Sequence, residues 1–273
     1  MMIKVRGADA YAYTGGRPFD PARPTVVFVH GVLNDHSVWI LQTRYLAHHG
    51  WNVLAVDQPG HGRSGGVPPS SVEDGADWVL ELLAAAGVGR AALVGHSLGS
   101  LIALEAASRA QARGAPAISH LALVGTAYPM RVSEALLKTS LEQPLKAIDM
   151  VDTFSHSTLA PPPSALGPGT WLYGSSRALL RRVLAGNRKV NLLHQGFSIC
   201  DRYANGEAAM KSLACPVLFV LGAADQMTAP KAAQSLVAAA ARPQVTTLAA
   251  GHDLMLEAPD GVLLALRNFL AAA

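Results

Sequence analysis

Residues 91–107, AALVGHSLGSLIALEAA, contain an aliphatic run, a glycine-rich turn and a helical pattern in direct succession. The run AALV is typical of a buried strand, and the segment SLIALEAA is typical of a helix. The turn between them, Gly95-His96-Ser97-Leu98-Gly99, matches the pattern G-x-S-x-G. A turn of this kind holds its serine in a strained conformation with an exposed hydroxyl, so the stretch predicts a nucleophile at Ser97.

The five-residue pattern occurs twice in the chain and is therefore weak by itself. Its second copy is Gly62-Arg63-Ser64-Gly65-Gly66, within the segment QPGHGRSGGVPP. No helix begins there, and we interpret this copy as a glycine-rich turn that follows the strand predicted at 51–56. Ser97 is distinguished from Ser64 by the strand before it and the helix after it.

Apolar runs like AALV alternate with helical patterns along most of the chain. Strands are predicted at 25–29, 51–56, 91–94, 121–124, 217–221 and 245–248. These runs are continuous rather than alternating, which is typical of parallel strands covered by helices on both faces. The alternation predicts an α/β fold with a doubly wound, mostly parallel sheet.

Capping residues suggest where several helices begin and end. Ser70 and Glu73 have the spacing of a capping box before a helix that ends at Gly87. Pro230 suits the first turn of a helix, because its missing N–H costs nothing there. The last helix is predicted to begin near Pro259.

The interval between the strands at 121–124 and 217–221 contains no convincing strand. Helical patterns occupy much of 128–145 and 175–205, whereas 160–171 is too rich in Pro and Gly for regular structure. Leucine and aromatic residues in the interval require burial. We therefore predict a helical cap at 128–210, inserted in a core formed by 1–127 and 211–273.

Composition predicts a cytoplasmic protein without a nucleic-acid or membrane partner. The net charge is only +3 and the basic residues are scattered, which argues against a nucleic-acid surface. The N-terminus lacks the apolar run of a signal peptide, and no segment reaches the roughly 18 apolar residues of a membrane span. Cys200 and Cys215 have no disulfide or metal-ligand pattern, which indicates a reducing compartment. Composition leaves a homo-oligomer open.

A serine nucleophile needs a base and an acid that orients the base. His252 follows the last predicted strand and Asp225 follows the strand at 217–221. Loops at the carboxyl ends of parallel strands converge on one crevice, so these side chains are predicted to meet Ser97. The segment after the strand at 121–124, GTAYPM, offers no acid. Asp57 and Asp253 are the nearby alternatives; the second follows His252 directly and is expected to point away from its ring.

An oxyanion formed at Ser97 would need two N–H donors. The backbone N–H of Leu98, directly after the nucleophile, is one candidate. The turn after the strand at 25–29 supplies the other, and we predict the backbone N–H of Val32 there.

Five segments together resemble the α/β-hydrolase superfamily, in the branch with a helical cap. They are HGVLNDHSVW, DQPGHGRS, LVGHSLGS, LGAADQMT and GHDLM, in the family's order. The resemblance implies a serine hydrolase that cleaves a carboxylic ester or related acyl compound without a metal or organic cofactor. It leaves open a lactonase, thioesterase, carbon–carbon hydrolase, iminopeptidase or perhydrolase, and also a small-molecule receptor without turnover. Epoxide hydrolases and haloalkane dehalogenases are disfavoured, since they carry Asp in place of Ser97.

Four residues of the predicted cap are candidates for an apolar acyl pocket, with packing inside the cap as the alternative for each. They are Trp171, Tyr173, His194 and Phe197. An iminopeptidase would instead need an acidic pair near the substrate amine. Glu134, Glu142, Asp149 and Asp152 lie in the right region for such a pair, and nothing in the sequence singles two of them out.

Overall fold

The predicted apolar runs lie side by side in one sheet in a computed structural model, which describes residues 1–20, 22–157 and 171–271. Strands β3 to β8 all run parallel, and the order across the sheet is β1-β2-β4-β3-β5-β6-β7-β8. This arrangement confirms the predicted fold class. The strands are β1 (Met2–Val5), β2 (Ala8–Tyr13), β3 (Thr25–Val29), β4 (Asn52–Val56), β5 (Arg90–His96), β6 (Ala117–Val124), β7 (Val217–Gly222) and β8 (Pro243–Leu248).

Two antiparallel strands at the sheet edge were not predicted. β1 and β2 form a hairpin whose turn contains Arg6 and Gly7, both with positive φ. β2 then pairs with β4 at Ala12 and Tyr13. The burial of β1 alternates along the strand, so it lacks the continuous apolar run that marks the central strands.

Helices cover both faces of the sheet. Successive residues of β3 point to opposite sides, so Val27 and Val29 pack in one core cluster and Val26 and Phe28 in another. The first cluster includes residues of α2 and α3, and the second includes residues of α1 and α11. The helices are α1 (Ile40–His48), α2 (Val72–Ala85), α3 (Leu98–Arg113), α4 (Glu134–Glu142), α5 (Pro144–Ser155), α6 (Leu172–Gly186), α7 (Leu192–Arg202), α8 (Gly206–Lys211), α9 (Gln234–Ala239), α10 (Leu254–Glu257) and α11 (Pro259–Leu270).

The predicted capping box of α2 is wrong by one residue. Ser71, not Ser70, is the N-cap, and its side chain accepts a hydrogen bond from the backbone N–H of Asp74. Ser70 instead bonds to the Asp74 carboxylate. Pro230 opens a short 3₁₀ turn, Pro230–Ala233, and the helix that follows it is shorter than predicted.

Helices α4 to α8 lie between β6 and β7, where the sequence predicted an inserted cap. Leu136, Ile148, Leu180 and Phe197 from this segment form a third core cluster, together with Leu33 from the turn after β3. Most of the Pro- and Gly-rich stretch, residues 160–170, lies outside the described residues. In the part of the chain that the structure describes, no helix combines the length and apolarity needed to cross a membrane.

Candidate active site

Ser97 lies on a sharp turn between β5 and α3. Its φ of 52° and ψ of −123° are unusual for a residue with a side chain, so the backbone there is strained. Close packing explains both flanking glycines. A Cβ on Gly95 would lie 2.1 Å from the carbonyl oxygen of Gly99, and one on Gly99 would lie 2.3 Å from the carbonyl oxygen of Val29.

His252 and Asp225 form a buried hydrogen-bonded pair on the loops after β8 and β7. Nδ1 of His252 donates to Oδ2 of Asp225 over 2.9 Å. The same carboxylate accepts the hydroxyl of Thr228 at 2.7 Å and the backbone N–H groups of Met227 and Thr228 at 2.8 and 2.7 Å. The carboxylate is therefore held in one orientation, and its bond to Nδ1 leaves Nε2 of His252 available to act as a base.

The pair shifts both pKa values in the direction that a base and its orienting acid require. Burial alone would raise the pKa of Asp225, but the His252 ring and the Thr228 donors outweigh burial and hold this pKa well below its usual range. Burial alone would lower the pKa of His252, but Asp225 outweighs it and the net pKa is raised. Asp225 is consequently ionised at neutral pH, and its charge stabilises the imidazolium form of His252.

Two further histidines bond to backbone near the site, one to the loop that carries His252 and the other to the turn after β3. Nε2 of His96 donates to the carbonyl oxygen of His252 over 3.0 Å. Burial, followed by the nearby His252, lowers the pKa of His96 to about 3, so this ring is neutral. Nδ1 of His30 donates to the carbonyl oxygen of Gly31, and its Nε2 accepts from the backbone N–H of Gln58.

The turn after β3 lies directly beside Ser97. A Cβ placed on Gly31 would be 3.1 Å from the Cβ of Ser97, and Val32 lines the same cavity as Ser97. Leu98 is the first residue of α3, where backbone N–H groups have no partner within the helix. Among the described residues, neither Val32 nor Leu98 donates its N–H to another backbone carbonyl. The backbone N–H groups of Val32 and Leu98 thus have no backbone acceptor within the described ranges, and their role as oxyanion donors stays a prediction.

Ser64, in the second copy of the pattern, has a different environment. Its hydroxyl donates to the carbonyl oxygen of Asp57 over 2.6 Å and accepts from the backbone N–H of Tyr11 over 2.8 Å. The side chain of Asp57 accepts in turn from His36 at 2.7 Å. Ser64 is thus buried in a hydrogen-bonded turn that joins β2 to the loop after β4, where a serine has a structural role.

A cavity of about 290 Å³ opens above Ser97 and His252. Most of its walls come from methionine, phenylalanine, leucine and valine side chains. Cys200 also lines it, and burial raises the pKa of this thiol, so it stays protonated. The lining residues are Val32, Ser97, Met130, Arg131, Val132, Ser133, Leu136, Met150, Phe154, Phe197, Cys200, Gln226, Met227, Thr228 and His252.

Of the four side chains predicted to line an acyl pocket, Phe197 is at the cavity wall. Trp171 is 55% exposed and packs on Tyr173. The Tyr173 hydroxyl lies 3.3 Å from that of Thr153. His194 bonds through Nδ1 to the hydroxyl of Ser140. These three side chains are not among the described residues that line the cavity, because each faces solvent or a neighbouring helix of the segment between β6 and β7.

A buried cluster of ionisable side chains lies behind the loop that carries His252. His156 has Nδ1 3.7 Å from a carboxylate oxygen of Asp152 and Nε2 3.6 Å from one of Asp253. Nε of Arg177 is 3.9 Å from Asp152. Asp253 also accepts the hydroxyl of Ser176, so its side chain engages the cap helices. The cluster ties α5 and α6 to the segment that carries His252.

Asp152→Asn is expected to change how stability depends on pH. Burial raises the pKa of Asp152 from 3.8 to about 6, so a bound proton stabilises the fold at low pH and this contribution is lost as pH rises through 6. The free energy of unfolding of the asparagine variant, measured relative to the parent, should therefore be higher at pH 8 than at pH 4, by up to about 3 kcal/mol. Thermal unfolding at both pH values measures this difference.

Asp9→Asn is the control for that measurement, because Asp9 is an exposed partner of Lys4. It should leave the pH dependence of the parent unchanged. An equal stability difference between parent and Asp152→Asn at pH 4 and pH 8 would contradict the prediction.

Comparison with known proteins identifies relatives over nearly the whole chain. The sequence model described as Alpha/beta hydrolase family matches residues 26–265. A 2-succinyl-6-hydroxy-2,4-cyclohexadiene-1-carboxylate synthase of Serratia proteamaculans is 26% identical over 261 residues, covering 91% of this chain and 93% of that protein. An (E)-2-((N-methylformamido)methylene)succinate hydrolase of Acinetobacter baylyi is 36% identical over 78 residues, covering only 28% of this chain and 29% of that protein.

A solved structure described as that of a thermophilic esterase superposes with a TM-score of 0.79 at 25% identity. The superposition covers 100% of this chain and 97% of that chain. The sheet and the helices between β6 and β7 are thus included in the similarity.

Proposed function

The chain belongs to the alpha/beta hydrolase family, and we propose that it hydrolyses a carboxylic ester or related acyl compound through Ser97, His252 and Asp225. One observation carries this proposal. The strained Ser97 and His252, which is held by the buried Asp225, line one mostly apolar cavity. A serine on a strained strand-to-helix turn is typical of a nucleophile, and a base fixed by a carboxylate is what activates such a serine.

In the proposed first step, the hydroxyl oxygen of Ser97 attacks the substrate carbonyl carbon while His252 takes the hydroxyl proton. The negative charge that develops on the carbonyl oxygen is stabilised by the N–H groups of Val32 and Leu98. The tetrahedral intermediate then expels the alcohol, which receives the proton from His252. An acyl ester on Ser97 remains.

In the proposed second step, His252 removes a proton from water, and the resulting hydroxide adds to the acyl carbon. The same two N–H groups stabilise the second oxyanion, and the proton returns to the oxygen of Ser97 as the acid leaves. Every proton transfer uses His252, so neither step calls for a metal ion or an organic cofactor.

Residues 128–210 are proposed to act as a cap over this chemistry. Leu136 on α4, Met150 and Phe154 on α5, and Phe197 on α7 supply much of the apolar wall above Ser97. The apolar part of the wall favours an uncharged group, because a charge against it would lose hydration without a partner. Arg131 also lines the cavity, but its side chain is largely exposed and lies 4.0 Å from the Asp201 carboxylate. The proposed substrate is therefore a small uncharged ester. The solved structure that superposes with a TM-score of 0.79 is described as an esterase, which supports an ester as the substrate.

Turnover of p-nitrophenyl acetate under excess substrate tests the proposal. The expected result is a burst of phenolate followed by a slower steady rate, with an acetyl group on Ser97 in acid-quenched samples analysed by fragment mass spectrometry. Binding of esters without phenolate release would instead indicate a receptor on the same fold, and would contradict the proposal. Protein unfolded by heat serves as the control for non-specific acetylation.

A further inference from the structure

A second, much smaller cavity adjoins Ser97. It measures about 40 Å³, against about 290 Å³ for the apolar cavity. Both cavities are lined by Ser97 and His252, so an ester carbonyl at Ser97 has two spaces of unequal size for its two arms. The shorter of the two arms therefore suits the smaller space.

The two cavities are lined by different side chains but have a similar mixture of polar and apolar surface. Val151 and Leu180 line the small cavity together with Asn34 and Ser176, and Met150 and Phe154 line the large one together with Arg131 and Gln226. Size rather than polarity therefore separates the cavities: a short arm suits the small cavity, and a longer chain suits the large one.

We propose that the preferred substrates are asymmetric esters, in which one arm has one or two carbons and occupies the small cavity while a longer apolar arm occupies the large cavity. This inference rests on the proposed function and adds the substrate class. A methyl ester of an apolar acid and an acetate of an apolar alcohol both satisfy it. An ester with two arms of middle length does not, because neither arm fits the small cavity.

Three isomeric esters test the proposal at constant composition and hydrophobicity: methyl heptanoate, hexyl acetate and butyl butanoate. We expect kcat/KM for at least one of the first two to exceed that for butyl butanoate by tenfold or more, measured by acid release in a pH-stat. The preferred isomer then shows which arm occupies the small cavity. A kcat/KM for butyl butanoate equal to or above both others would overturn the proposal.

Enlarging the small cavity should relax this preference. Leu180 lines only the small cavity of the two, so Leu180→Ala should raise kcat/KM for butyl butanoate relative to the preferred isomer by at least fivefold. Leu136→Ala is the matched control, because it removes the same atoms from the large cavity and should not raise that ratio. If Leu180→Ala does not fold, Val151→Ala enlarges the same cavity with a smaller loss of buried surface.

The outcomes separate this inference from the proposed function. If the parent turns over all three esters and butyl butanoate is the best substrate, the preference for asymmetric esters is rejected and the proposed function is kept. The same holds if folded Leu180→Ala or Val151→Ala leaves the ratio of kcat/KM for butyl butanoate to that for the preferred isomer unchanged. If no ester is turned over and Ser97 is not acylated, both the proposed function and this inference are rejected.

Discussion

Replacing Ser97 with alanine is expected to lower kcat for ester hydrolysis by about 10⁴- to 10⁶-fold. The alanine has no oxygen to form the acyl ester, and the remaining N–H donors can assist only direct attack by water. The fold should survive, because Ser97 contributes no side-chain hydrogen bond to the cap of α3. Its positive φ is also no easier for serine than for alanine. Steady-state kinetics and thermal unfolding measure the two effects separately.

Ser64→Ala is the matched control, because the same five-residue pattern surrounds both serines. The Ser64 hydroxyl bonds to Asp57 and Tyr11, so its removal should lower the unfolding temperature. Activity per folded molecule should stay near that of the parent. Retained activity in Ser97→Ala, or complete loss in a folded Ser64→Ala, would show that the wrong serine has been assigned.

Labelling with a fluorophosphonate gives a second readout that does not depend on the choice of ester. The reagent should form one adduct, at Ser97, and Ser97→Ala should prevent it while Ser64→Ala should not. An adduct at Ser64 or Cys200 would contradict the assignment.

The central sheet and the three proposed catalytic side chains could be predicted because they follow from local pattern and topology. Continuous apolar runs mark buried parallel strands, and side chains just after the carboxyl ends of such strands share one crevice. The positions of Asp225 and His252 after two such strands were enough to predict that their side chains meet in this crevice. β1 escaped prediction because its burial alternates, and β2 escaped it because its buried run spans only three residues, 10–12.

The cavity walls could not be predicted with the same reasoning. Met150 and Phe154 are four residues apart on α5 and so share a face, but the sequence does not say which face points to Ser97. That choice depends on how the cap helices pack on each other and on the turn after β3. Trp171 shows the difficulty, because its large apolar ring is mostly exposed.

Thr228 was also missed, although the sequence contained a signal for it. A threonine three residues after Asp225 can bond back to the carboxylate, as short polar side chains commonly do in turns. The structure shows this bond, and the Thr228 hydroxyl is also 3.1 Å from Nδ1 of His252. Thr228 is therefore a positioning residue for the proposed pair of base and acid.

Asp225→Asn is the other change with a very large expected effect. An amide can donate where the carboxylate only accepts, so Nδ1 of His252 would be left as the acceptor and Nε2 would carry the proton. The base would then face Ser97 in the wrong tautomer, and the imidazolium would lose its counter-charge. In serine hydrolases with this arrangement the same exchange costs about 10⁴-fold in kcat, and we expect a loss of that order here.

The pH profile distinguishes this cause from a general loss of structure. The base acts when neutral, so kcat/KM of the parent should fall as pH drops through the raised pKa of His252. In Asp225→Asn the charge that raises this pKa is gone and burial remains, so the acid limb of the residual activity should move to lower pH. An acid limb that stays in place would show that Asp225 does not set the protonation of the base.

Asp57→Asn is the control variant, because it removes a His–Asp hydrogen bond elsewhere in the protein and shows what such a loss does to folding alone. Asp57 bonds to His36 over 2.7 Å, much as Asp225 bonds to His252 over 2.9 Å. Neither Asp57 nor His36 lines the cavity above Ser97 among the described residues. Asp57→Asn should therefore lower stability. Its kcat per folded molecule and the acid limb of its kcat/KM profile should remain those of the parent. A comparable loss of kcat in both variants would mean that the effect of Asp225→Asn reflects folding rather than orientation of the base.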